Sequence, residues 1–161
     1  MNEKLLKNKY VFLDFDGTLC EYRYNDKVSA KSKNPECEYD WGQTLEEILF
    51  GGVFLKARPL KSMKKVIAKC DPNKVYILGA VVSNSEINQK LVWLKENYPY
   101  IKKENMFFIA EGIPKVDVLK CFSKQYGISP EDMVFIDDTH SHIRRAEEAG
   151  FTAYHITTFI D

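Results

Sequence analysis

The chain has 161 residues, of which 45% are hydrophobic and 29% charged, a profile that allows a buried core without disulfide or metal staples. Its 23 Lys and Arg balance 23 Asp and Glu, so the composition gives no global attraction to nucleic acid or to an anionic membrane and argues against disorder. The longest apolar run, residues 75–82, falls well short of the ~20 residues that a membrane-spanning helix needs.

Along the chain, strand and helix patterns alternate. Tyr10–Phe15 is a short apolar run ending in acid and glycine, which predicts a buried strand. Residues 59–70 open with Pro59 and place Leu60, Met63, Ile67 and Cys70 on one helical face. Lys74–Val82 predicts a second buried strand, followed by the capping cluster Ser83-Asn84-Ser85 and a helix with Ile87, Leu91 and Leu94 in register. Met106–Ala110 predicts a third strand. Pro114 begins a helix whose inward face is Val116, Leu119, Phe122 and Tyr126, with Gly127 placed to end it. Met133–Ile136 is a fourth strand running into Asp137-Asp138, Ser141–Ala149 a short helix, and Thr152–Ile156 a last strand. Buried strands separated by helices imply right-handed βαβ units. The expected architecture is a three-layer, Rossmann-like α/β fold, a parallel sheet with helices on both faces, in one domain over residues 1–161. Residues 20–57 break the pattern, and read as a small insertion after the first strand.

The start of the sequence, MNEKLLKNKY, has no apolar core of the kind a secretory leader carries. Cys20, Cys37, Cys70 and Cys121 form no CxxC or Cys/His cluster. Reduced thiols and a cytoplasmic location are therefore expected.

In parallel sheets of this kind ligands bind beyond the carboxyl ends of the strands. Polar residues collect there: Asp14 and Asp16 after the first strand, Ser83 after the second, and Asp137 and Asp138 after the fourth. Asp14 and Asp16 stand two residues apart, and Gly17 lets the chain turn away, so one carboxylate can serve as nucleophile and metal ligand while the other handles a proton. An Asp-Gly turn alone would explain the same pentapeptide structurally. Two acidic strand ends brought together repel unless a cation neutralises them, and an oxygen-only ligand set suits Mg²⁺. Ser83 and the amides after it, beginning with Asn84, could hold an anion at a helix N-terminus, or Ser83 could simply cap the helix. Lys115 puts a cation at the positive end of a helix dipole, which calls for a nearby anion.

DFDGT at 14–18, an apolar strand ending in Ser83, Lys115 at a helix start and FIDD at 135–138 come in the order of the four motifs of the haloacid dehalogenase-like (HAD) superfamily. The resemblance covers residues 9–19 and 58–156, and the strand–loop–helix VFIDDTHSHIRRAEEAG is similar to the family's fourth motif. His142 stands where the family often has Asn or Asp. The resemblance implies an Mg²⁺-dependent phosphomonoester hydrolase with an aspartyl-phosphate on Asp14 and with Asp16 as general acid, then base. It also implies metal ligation by Asp14, the backbone carbonyl of Asp16, Asp137 and, through water, Asp138, with Ser83, Asn84 and Lys115 on the phosphoryl oxygens. An acid at position 16 favours phosphoryl transfer over carbon–halogen cleavage, since the family's dehalogenases lack it. A phosphotransferase of the same superfamily, or a catalytically idle phosphate-binding or signalling module, is the alternative; the presence of Asp16 argues against idleness.

Residues 20–57 fall where one class of family caps is inserted, and at this length resemble a flap or minimal cap. Members with little cap tend to accept bulky substrates or to borrow cover from a neighbouring subunit, which leaves a homo-oligomer open. Arg23, Tyr24 and Arg58 could contact the leaving group of a small phosphorylated substrate.

Overall fold

β1 (Tyr10–Leu13) carries Val11, Phe12 and Leu13, none of which reaches solvent. A strand apolar on both faces belongs inside a sheet that is covered on both sides. β1 pairs in parallel with β2 (Val75–Val81) on one edge and with β4 (Met133–Asp137) on the other. β3 (Met106–Ala110) lies beyond β2 and β5 (Thr152–His155) beyond β4, so the order is β3-β2-β1-β4-β5 with every pairing parallel. The computed structural model describes residues 2–21 and 52–160. Arg23, Tyr24 and most of the 20–57 insertion lie outside the described residues.

Four α-helices are found among the described residues: α1 (Lys61–Ile67), α2 (Asn84–Asn97), α3 (Lys115–Tyr126) and α4 (His140–Glu148). Strand side chains alternate between faces, and the core divides accordingly. Val11 and Leu13 pack with Met63 and Ile67 of α1 and with Trp93 and Leu94 of α2. Phe12 packs on the opposite face with Leu119 and Phe122 of α3 and with Ile143 and Ala146 of α4. The Phe12 ring stacks on Tyr76 at 4.8 Å and meets Phe122 edge-on at 4.9 Å. Such pairs contribute about 0.5–1.5 kcal/mol each beyond the area they bury. The expected three layers are present. Among the described residues no helix is long and apolar enough to cross a membrane.

Two expected faces differ. The spacing of Ile87, Leu91 and Leu94 predicts the inner face of α2, yet Ile87 and Leu91 are half-buried, and the innermost side chains are Glu86, Lys90, Trp93 and Leu94. A Glu and a Lys one turn apart can enter a core when they pair with each other and their remaining hydrogen-bonding groups find partners, as Asp16 and the Val82 N–H provide here. Tyr126, expected inside, is exposed, with its ring lying against Phe122 at 4.7 Å. α3 ends there because Gly127 takes the left-handed conformation that closes a helix (φ 63°).

The strand order positions the site. From β1 the chain builds outward through β2 and β3, then returns to place β4 on the other edge of β1. At that reversal the carboxyl ends of β1 and β4 lie side by side, the place where sheets of this kind bind ligands. Leu13 is in register with Ile136, and the Asp14 N–H donates to the Ile136 carbonyl at 2.9 Å. Asp14 and Asp137 therefore leave adjacent strands side by side.

Candidate active site

Asp14, Asp137 and Asp138 each offer a carboxylate oxygen, and these oxygens lie within 4.8 Å of one another. Lys115, at the first turn of α3, reaches over from the third βα connection. Its Nζ donates to Asp14 Oδ1 at 2.5 Å and to Asp137 Oδ2 at 2.8 Å. The anion demanded by a lysine at a helix start is thus a pair of carboxylates. Asp137 has further partners: the Thr139 N–H donates to its Oδ1 at 2.8 Å, and His142 Nδ1 lies 3.1 Å from its Oδ2. His142 is therefore a companion of Asp137.

One ammonium cannot satisfy three buried or half-buried carboxylates, and their proton affinities diverge as a result. Burial pushes the Asp14 carboxyl up to about 7, Lys115 opposes this, and the Asp137 and Asp16 charges add to the rise. For Asp137 burial also raises, but the hydrogen bond to His142 and the charge of Lys115 outweigh it and hold the carboxyl below its ordinary value. Asp138 is raised by burial and by the Asp137 charge. The cluster is short of positive charge. A set of carboxylate oxygens in that condition fits a hard divalent cation such as Mg²⁺, which binds through one or two carboxylates and retains water.

Asp16 turns its carboxylate elsewhere. Its Oδ2 accepts from Lys90 Nζ at 2.7 Å, and Lys90 also pairs with Glu86 Oε1 at 2.8 Å. Burial acts to lower the Lys90 pKa, but the Asp16 and Glu86 carboxylates prevail and hold it above the usual lysine value. Neither Glu86 nor Lys90 is recognisable from spacing as a site residue, because a Glu–Lys pair at i,i+4 looks the same as a solvated surface pair. Ser83 caps α2 by accepting the Glu86 N–H at 3.1 Å, and Asn84 is an exposed first-turn residue. Arg58 is exposed and pairs with Glu21 at 2.9 Å.

Gly17 is held at φ 76°, and a Cβ built there would overlap the Asp138 carboxylate. The turn after β1 can approach β4 this closely only without a side chain. Gly17→Ala should therefore displace Asp138 and lower Mg²⁺ affinity by about tenfold or more, the scale of second-layer losses at metal sites. Calorimetric titration would measure it; unchanged affinity would mean that the turn and Asp138 yield without consequence.

No protein-family model matches the sequence, and no curated protein is significantly similar to it. Solved structures are similar in fold. A haloacid dehalogenase-like family hydrolase from Streptococcus pneumoniae superposes with a TM-score of 0.59 at 13% identity, covering 95% of this chain and 84% of its own. A HAD family enzyme from Bacteroides thetaiotaomicron, an aspartate-to-alanine variant in complex with magnesium and inorganic phosphate, superposes with a TM-score of 0.50 at 16% identity, covering 91% of this chain and 93% of its own. At such identities the similarity establishes the fold, which is HAD-like.

Proposed function

We propose that this HAD-like chain is an Mg²⁺-dependent phosphomonoester hydrolase that works through an aspartyl-phosphate on Asp14. The observation that carries the reading is the convergence of Asp14, Asp137 and Asp138 at the ends of β1 and β4, with Lys115 bonded to two of them. The magnesium and phosphate bound by the Bacteroides protein of the same fold support it.

A bound Mg²⁺, held by Asp14, Asp137, the Asp16 carbonyl and Asp138 through water, would offset the repulsion between a carboxylate nucleophile and a phosphate dianion. Asp14 attacks phosphorus while Asp16 gives a proton to the departing oxygen. Lys115, Ser83 and the Asn84 amide hold the phosphoryl oxygens, where their charge and dipoles meet the developing negative charge. Asp16, now a carboxylate, takes a proton from water; that water attacks phosphorus and releases Asp14 and inorganic phosphate. Covalent capture replaces one difficult displacement by two easier ones.

The direct test is turnover of p-nitrophenyl phosphate with and without EDTA. Chelation should abolish it; turnover indifferent to EDTA would overturn the metal-dependent reaction. Asp16→Ala should lose about 10²–10⁴-fold in turnover, the usual worth of a positioned acid–base group, while keeping its Mg²⁺ affinity. Affinity falling as far as in Asp137→Ala would make the Asp16 carboxylate a direct ligand.

Proton release offers a second measure. With its carboxyl at about 7, Asp14 is largely protonated below that pH and must ionise to bind metal. Mg²⁺ binding should release close to one proton at about pH 6 and roughly a tenth of one at about pH 8. Calorimetry in two buffers of different ionisation enthalpy reads this number. Equal release at both pH values would contradict the assignment.

A further inference from the structure

Lys90 has no part in the reaction as written, yet its side chain is wholly buried. Besides its bonds to Asp16 and Glu86, its Nζ lies 4.8 Å from the ring centroids of both Phe15 and Phe54. Glu86 is anchored in turn: its Oε2 accepts the Val82 N–H at 2.8 Å, and its own N–H donates to Ser83 Oγ. Helix stability alone gives little reason for such a buried pair, since an exposed i,i+4 pair contributes about as much to the helix without the desolvation cost. The Asp16 side chain is bonded to Lys90 through Oδ2 and keeps 20% of its surface exposed.

We propose, on the footing of the phosphatase reading, that Lys90 braced by Glu86 is a positioning residue that fixes the Asp16 carboxylate for its proton transfers with the leaving group and then with the attacking water. Asp16 stands in the turn after β1, outside the strand's own ladder. Acid–base groups work only when held within about 0.5 Å and 10–20° of the productive geometry. Lys90 supplies that restraint from α2, the helix that Ser83 caps. The acid–base carboxylate and the phosphate-binding segment are thereby tied to one rigid element.

The test compares kcat/KM for p-nitrophenyl phosphate and for phenyl phosphate, because kcat/KM reports the steps through departure of the leaving group. Phenolate is the poorer leaving group and depends more on the proton. The variant is Glu86→Gln with Lys90→Met, in which the two negative charges and one positive of the trio become the single negative charge of Asp16, so net charge is kept and no second carboxylate is stranded. The expected loss is about 10²-fold for phenyl phosphate and about tenfold or less for p-nitrophenyl phosphate, with Asp16→Ala showing the same ordering. Lys90→Arg should recover part of the phenyl phosphate rate. If the double variant does not fold, Glu86→Gln alone, which loosens the brace and keeps the Lys90–Asp16 bond, should show the same ordering with a smaller separation. Equal losses on the two esters, or no loss, with Asp16→Ala still discriminating between them, would overturn the positioning role and leave the phosphatase standing. Absence of wild-type turnover with either ester would remove both.

Discussion

Asp14→Asn should abolish turnover, by on the order of 10⁴-fold or more, while leaving the metal-free protein at least as stable as the wild type above about pH 7. The first half follows from the proposed role, since an amide cannot form the acyl phosphate. The second follows from burial. Folding raises the Asp14 carboxyl from 3.8 to about 7, so the native state holds a proton that the unfolded chain has released. The stability tied to that proton is fully present below about pH 4 and is lost as the pH rises through about 7. Its size is on the order of 4 kcal/mol, from roughly three pKa units at about 1.4 kcal/mol each. Asparagine occupies the same space, still accepts from Lys115 and carries no charge. Urea unfolding in EDTA across this range should therefore show a flatter pH dependence in the variant. A variant that is inactive and also clearly less stable would mean that the ionised carboxylate holds the fold together.

Lys115→Met should have the other large effect. The ammonium is the link between Asp14 and Asp137, and both carboxylates are buried. Removing one member of a buried ion pair typically costs about 3–5 kcal/mol, because the charges left behind are uncompensated. That cost should appear at about pH 8 and shrink towards about pH 5, where Asp14 escapes it by taking up a proton. Mg²⁺ should restore part of the lost stability, since it binds the native state alone. Turnover should fall as well, since in the proposed reaction Lys115 is the cation on the phosphoryl oxygens. A destabilisation below about 1 kcal/mol at the higher pH would show that Lys115 does not carry the charge balance of the cluster.

The fold was legible because its signals are local and repeated. Apolar runs such as Val75–Val81, Met106–Ala110 and Met133–Asp137, each followed by a helical pattern, leave few arrangements other than a parallel sheet covered on both faces. The meeting of Asp14 with Asp137 could be anticipated for the same reason, since acids at the ends of parallel strands share one edge of the sheet. Lys115 could be singled out because a cation at a helix start needs an explanation. Glu86 and Lys90 could not. Periodicity counts apolar residues, and on that count α2 faces inward through Ile87 and Leu91; the actual inner face holds a charged pair whose third partner, Asp16, is 74 residues away in sequence. Only the folded chain shows that Lys90 is shared with a carboxylate from outside its own helix. Gly17 was legible as a turn, but its close approach to Asp138 depends on how β1 and β4 are juxtaposed.

The most direct measurement is chemical trapping of the intermediate. Protein quenched with borohydride during turnover of p-nitrophenyl phosphate in Mg²⁺ should carry homoserine in place of aspartate at position 14. Samples lacking substrate, or containing EDTA, should carry none. Steady turnover with position 14 unmodified, or with the reduced residue elsewhere in the chain, would contradict the account.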